Sequence, residues 1–239
     1  MKKALFIVAA IAMTFVACTK DEVRNGTKGM TLSANVDETK AIIEDQGNQT
    51  WKFLWNGGDE VGVTSPSGTP YTFVKPESGD FTCGEAVPEE GVWRAQYPAS
   101  FTSFNFTQQS GELSDVMANY FMTGASENYE SATAQISMTM EPKLAIIKVT
   151  NNTRAEINIQ YMKNKDMFNT YFWLEFSSDG EVSQHSRTHN PEYYCGIIGV
   201  NETKYYLAPA KQVTMWVNEA QYGTAKTLAA GHIYNLVVK

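Results

Sequence analysis

From Leu32 onward, apolar and polar residues alternate with a period of two, the spacing of strands that bury one face. Leu32, Ala34 and Val36 form the first run, and Trp51, Phe53 and Trp55 form the second across Thr50 to Trp55. Val61 and Val63, Tyr71 and Phe73, Trp93, Ala95 and Tyr97, Phe104 and Phe106, then Ile136, Met138 and Met140 continue it. Turn clusters punctuate the runs: Asn56-Gly57-Gly58-Asp59, Ser65-Pro66-Ser67-Gly68 and Glu77-Ser78-Gly79-Asp80. Short strands separated by Gly- and Pro-rich turns predict a β-sandwich.

Glu141-Pro142-Lys143 marks a boundary. The strand after it, Leu144 to Val149, is apolar on both faces, as a central strand is. Asn151-Asn152-Thr153 predicts a turn into Ile157, Ile159 and Tyr161, the second arm of a hairpin. Further strands are expected at Tyr171 to Phe176, Lys204 to Leu207, Val213 to Val217 and Ile233 to Val238, with Asp179-Gly180 as a hairpin turn. Only Gly111 to Ala118 suggests a helical turn. The pattern predicts an all-β chain with two β-sandwich domains, 30–142 and 143–239.

The first 29 residues follow other rules. Lys2 and Lys3 precede an apolar stretch, Ala4 to Ala17, that is too short for a membrane span. Phe15-Val16-Ala17-Cys18 resembles a bacterial lipobox. That resemblance implies a signal peptide at 1–17, cleavage before Cys18, a diacylglycerol on its sulfur and a fatty acyl chain such as palmitate on the new amine. Two or more chains give stable anchoring, at about 0.8 kcal/mol per buried methylene. The competing expectation is a soluble secreted protein cut after an Ala-x-Ala-like site. Residues 18–29 read as a flexible tether. Lys20, Asp21 and Glu22 in it resemble the surface-export signal of lipoproteins in Gram-negative anaerobes, the alternative being a plain solvated leash.

Composition narrows the partners. Of the 239 residues, 43% are hydrophobic, enough for sizeable cores, and the formal charge is −7. An acidic chain without a basic run is not built for nucleic acid. With Cys18 lipidated, Cys83 and Cys195 remain. An export compartment permits a disulfide, but their wide separation in sequence leads us to expect two free thiols.

Four segments together resemble the fimbrillin family of surface lipoproteins and pilins. They are the lipobox with its lysine-acidic follower; Trp55-Asn56-Gly57-Gly58-Asp59-Glu60-Val61-Gly62-Val63; Pro142 to Thr150; and the closing run. That run comprises Tyr205-Tyr206-Leu207-Ala208-Pro209, Val213 to Val217 and Ala230-Gly231-His232-Ile233-Tyr234-Asn235-Leu236. The resemblance implies two transthyretin-like β-sandwich domains in tandem, display on the outer membrane or in a fimbrium, and strand exchange with other fimbrial subunits. It also implies proteolysis behind the first strand. Lys40 stands where that cut would fall, although the oral pilins carry arginine there. Asp59 and its glycines are expected to build a turn, not a catalytic centre.

Catalytic patterns are missing from the sequence. His185 and His189 are four residues apart, but in a polar stretch without an intervening glutamate and just before Pro191, so a solvated loop is expected. His232 is expected on the last strand at a polar edge. Glu89 and Glu90 are adjacent, and adjacent strand residues face opposite sides. No enzyme, metal site or cofactor is expected. Aromatic side chains offer one alternative, because sugars stack on exposed rings. Trp173, Tyr193 and Tyr194 are the candidates, against the reading that alternate rings fill a core. Two functions result: a fimbrial structural, tip or anchor subunit that also meets a host or bacterial surface ligand, or a glycan-binding surface lipoprotein of a polysaccharide uptake system.

Overall fold

The structure, a computed structural model, describes residues 29–36, 43–44, 50–51, 53–106, 109–130, 134–161, 170–176, 182–188 and 196–239. The N-terminal half contributes β1 (Met30–Val36), β2 (Ile43–Glu44), β3 (Thr50–Trp51), β4 (Glu60–Thr64), β5 (Pro70–Val74), β6 (Phe81–Cys83), β7 (Arg94–Tyr97) and β8 (Ser103–Asn105). A short helix α1 (Leu113–Ala118) follows, then β9 (Met122–Glu130) and β10 (Gln135–Pro142). Seven of these strands join in the order β1-β10-β9-β7-β4-β5-β6, and the ladder closes on itself because β6 also pairs with β1. This half was expected to be a two-sheet sandwich; its ladder is instead a continuous barrel, which leaves no open edge. Met30, Leu32, Val61, Val63, Phe73, Phe121, Met122, Ile136 and Met140 are wholly buried inside.

One barrel strand, β9, lacks the alternation that marks its neighbours. β9 runs Met-Thr-Gly-Ala-Ser-Glu-Asn-Tyr-Glu, and it buries the polar side chains of Thr123 and Ser126. Ser126 is buried, and its hydroxyl accepts from the Trp93 amide at 2.9 Å. Gly124 lies opposite Met140, and a Cβ there would stand 2.7 Å from the Met140 sulfur. Conversely, the run Trp51, Phe53, Trp55 is not one strand: β3 stops at Trp51, and Phe53 and Trp55 lie in irregular chain. The period-two spacing there serves ring packing instead of a ladder.

The C-terminal half contributes β11 (Leu144–Asn151), β12 (Ile157–Tyr161), β13 (Thr170–Phe176), β14 (Val182–Thr188), β15 (Gly196–Ile198), β16 (Thr203–Pro209), β17 (Gln212–Val217), β18 (Ala220–Thr227) and β19 (Ile233–Val238). β16-β11-β19 form one sheet and β15-β12-β17-β18 another. β11 is central and buries Ile146 and Ile147, neighbours on opposite faces. The hairpin expected between β11 and β12 does not form: β11 pairs with β16 and β19, and β12 with β15 and β17. The chain arches from one sheet to the other at Asn151, whose side chain is fully buried. Its amide nitrogen lies within hydrogen-bond distance of three carbonyls, Ala155 at 2.9 Å and Ile198 and Gly199 at 3.0 Å, and its oxygen accepts from the Thr153 amide at 2.9 Å. A buried side chain so engaged fixes the crossing and satisfies carbonyls that a hairpin would have paired.

The halves are tied together. Lys143 is the single residue between β10 and β11, and its amide donates to the Phe121 carbonyl at 2.9 Å. β13 and β14 pair antiparallel and add to β8 of the N-terminal half in a sheet ordered β14-β13-β8, while the turn expected at Asp179-Gly180 lies outside the described residues. Gln109 docks on the edge of β16: its Nε2 donates to the Leu207 carbonyl at 2.9 Å, and its Oε1 accepts from the Leu207 amide at 2.7 Å. The Tyr205 amide donates to the Gly111 carbonyl, and Lys204 reaches Glu112 at 2.6 Å. Buried residues of both halves consequently form one cluster.

Replacing Asn151 with alanine strands several buried polar groups. We expect a loss of about 3 kcal/mol, read from the midpoint of urea unfolding; a change under about 0.5 kcal/mol would show that the arch is held by packing alone.

Candidate functional site

β1 is the element on which an assembly role turns. It pairs in parallel with β10, from Thr31 opposite Gln135 to Val36 opposite Met140. On its other side it pairs antiparallel with β6, Met30 opposite Cys83 and Leu32 opposite Phe81. Met30, Leu32 and Ala34 fill the barrel, while Thr31 and Ser33 are only half-buried and Asn35 is exposed. One short strand therefore closes two ladders and plugs one strip of the core.

A ring cluster grips the far end of β1. The Trp55 indole N–H donates to the Ala34 carbonyl at 2.7 Å. Phe53, Phe81 and Tyr97 surround that indole edge to face, with centroids 4.9, 5.0 and 5.0 Å away. Trp55 is half-buried and packs against the core from the rim. The turn that follows positions it. Gly58 has a φ of 92°, the left-handed region that suits glycine. Asp59 caps this turn as expected, its carboxylate accepting from the Asn56 amide at 2.7 Å. Its other oxygen lies 3.4 Å from the Tyr97 hydroxyl. Burial, with the Asp59 carboxylate added, pushes the Tyr97 pKa up to about 12. Burial alone raises that of Tyr120, whose ring stacks on Phe53 at 6.0 Å.

Several expected site residues, namely Cys18, Lys20, Asp21, Glu22, Lys40, Tyr193, Tyr194, His189 and Cys195, lie outside the described residues. Trp173 lies on β13, opposite Asn105 of β8 on one side and His185 of β14 on the other. His185 is thus on a strand, not in the solvated loop its polar surroundings suggested; pairing with the aromatic β13 overrides local composition. His232 falls just before β19 and is half-buried, its Nδ1 3.0 Å from the Ala230 carbonyl. Cys83, expected as a free thiol, is buried and disulfide-bonded, and its partner lies outside the described residues. Among the described residues no cluster of His, Cys, Asp and Glu is arranged to hold a metal ion, and no helix is long and apolar enough to cross a membrane. Gln109 and Ser126, which sequence reading passed over, and Asn151, read only as part of a turn, carry buried polar contacts whose distant partners nothing local advertises.

No family model and no curated protein matches this sequence. Solved structures do match. A candidate cell adhesion protein from Bacteroides uniformis is 13% identical over 88% of this chain and 93% of its own, with a TM-score of 0.54. A second candidate cell adhesion protein, from Bacteroides ovatus, is 11% identical over 89% and 92%, with a TM-score of 0.48. A fimbrial protein from Bacteroides ovatus is 12% identical over 90% of this chain and 49% of its own, at 0.45. The Bacteroides uniformis protein shares this fold, an all-β chain that nearly matches this one from end to end.

Two outcomes test the cluster. Trp55→Ala should cost about 3 kcal/mol, and Trp55→Phe, which keeps a ring but loses the bond to β1, about 1 kcal/mol. Equal stability of wild type and both variants in urea would show that the indole does not hold β1. The second outcome concerns alkali. A tyrosine whose folded pKa is raised stays neutral in the native state while the unfolded chain ionises. The native state then binds more protons than the unfolded one, so stability falls with rising pH between about 10 and 12 and is unaffected below about 9. Tyrosinate absorbance followed with the unfolding midpoint should show this, and Tyr97→Phe should flatten the decline.

Proposed function

We propose that this chain is a non-enzymatic surface lipoprotein that serves as a structural, tip or anchor subunit of a fimbria and takes part in adhesion. The observation that carries the proposal is the seat of β1. It is the first strand among the described residues, it pairs with both β6 and β10 to close the barrel, and in sequence it is followed at once by the stretch that contains Lys40. The shared fold with a candidate cell adhesion protein supports the surface role. On this reading the barrel and the C-terminal sandwich correspond to the family's two transthyretin-like domains.

The physical consequence of a cut after Lys40 follows from the ladders. The leash and β1 leave together, β6 and β10 become edges, and the cavity of Met30, Leu32 and Ala34 opens. Burying Met or Leu is worth about 1.5–3 kcal/mol each, so the opened barrel needs a replacement strand, and a neighbouring subunit can supply one. Uncut, the chain keeps its lipid at Cys18 and acts as an anchor, with Lys20, Asp21 and Glu22 directing display on the outer membrane. We favour the polymerising or tip role.

N-terminal sequencing of fibre-associated material decides between them. Subunits that begin at Ala41 support strand exchange; lipidated Cys18 alone would overturn exchange in favour of anchoring. The lipid is tested separately. Lipidation consumes the Cys18 sulfur, so a Cys18–Cys83 disulfide peptide recovered from the mature, membrane-bound protein would overturn the anchor itself.

A further inference from the structure

The turn that carries Trp55 contains an Asn-Gly pair, Asn56 and Gly57, and both residues are exposed. Three bonds hold the turn. The Asn56 amide donates to the Asp59 carboxylate at 2.7 Å, the Asp59 amide to the Asn56 carbonyl at 3.1 Å, and the Gly58 amide to the Lys75 carbonyl at 2.8 Å. None of them engages the Asn56 side chain or the Gly57 amide nitrogen, and neither group has another partner. The other exposed asparagines among the described residues, Asn35, Asn152, Asn201 and Asn218, precede Val36, Thr153, Glu202 and Glu219. A side chain on the following residue crowds the approach of its amide nitrogen to the asparagine; glycine leaves that approach open.

From this arrangement we infer that Asn56 is a site of spontaneous deamidation, and that the reaction loosens the hold of Trp55 on β1. The Gly57 nitrogen gives its proton to solvent base and attacks Cγ of Asn56. A bond forms between them, the Cγ–Nδ2 bond breaks, and Nδ2 leaves as ammonia with a proton from water. The five-membered succinimide then takes up one water molecule. Breaking its bond from nitrogen to Cγ yields aspartate on the original main chain. Breaking its bond from nitrogen to the Asn56 carbonyl carbon yields isoaspartate, with the main chain rerouted through Cβ and Cγ. In total one amide and one water become one carboxylate and one ammonium.

Either product changes the turn. The new carboxylate stands beside Asp59, the residue that caps it, and near Glu77, whose carboxyl oxygens lie 2.7 Å from the point a Gly57 Cβ would occupy. Like charges so placed repel. Isoaspartate goes further, because the carbonyl that accepts from the Asp59 amide is no longer part of the main chain. Trp55 immediately precedes the site, and its 2.7 Å bond to the Ala34 carbonyl tolerates little displacement of the indole. The turn therefore acts as a slow, one-way timer on the seat of β1. The chemistry needs only water, so the inference does not depend on the fimbrial role: its failure leaves that role untouched.

Ageing the full mature chain in mildly alkaline buffer tests it, with peptide mapping by mass spectrometry and an isoaspartyl methyltransferase to label isoaspartate. We expect aspartate and isoaspartate to accumulate at Asn56 several-fold faster than at Asn152, Asn201 or Asn218. The modified fraction should show a lower urea midpoint and faster amide exchange in β1 than fresh protein. Asn56→Gln, whose ring closure is six-membered and slower, should stay unmodified and keep its midpoint through the same ageing. Asn56→Asp adds the charge without rerouting the main chain and should fall between fresh and isoaspartyl protein. Should Asn56→Gln fail to fold, the aged wild-type chain carries the test alone. A native chain that stays intact at Asn56 while a peptide of residues 51–61 reacts would overturn the inference. So would modified protein whose midpoint and β1 exchange match those of the fresh chain.

Discussion

Every strand edge in a β protein presents backbone groups that must find partners, and the arrangement of this chain is governed by how those edges are closed. β1 closes the barrel because it alone meets both β6 and β10. The edge of β16 is met by the amide of Gln109, which imitates a strand residue by bonding both the carbonyl and the amide of Leu207. β8, only three residues long, gains the β13–β14 hairpin from the other half of the chain. These three solutions explain why the two halves do not behave as beads on a string: each half completes an edge of the other.

The first and last described strands occupy equivalent positions. β10 and β11 meet across Lys143; β10 is paired in parallel with the first barrel strand, β1, and β11 with the last strand, β19. Parallel partners cannot be joined by a tight turn, so both pairings are made late in the sequence, between segments with most of a half-chain between them. β1 is held by its ladders to β6 and β10, by three buried side chains and by the grip of Trp55.

How much of this was legible follows one rule: features that repeat locally were readable, and those that depend on a distant partner were not. The alternating runs located β1, β4, β5, β7, β10 and β17, and the unbroken apolar run of β11 marked a strand with two buried faces. The turn at Asn56 to Asp59 was readable because the bonds that close it are local, between the Asn56 amide and the Asp59 carboxylate and between the Asp59 amide and the Asn56 carbonyl; its ties to Lys75 and Tyr97 were not. β9 and β18 escaped, since their alternation is broken by polar and small residues whose places are set by neighbours. Asn151 misled: asparagines suggest a turn, and a turn is present, but burial converts it into an arch between sheets. Barrel closure was equally invisible, because nothing in β1 or β6 alone states that they pair.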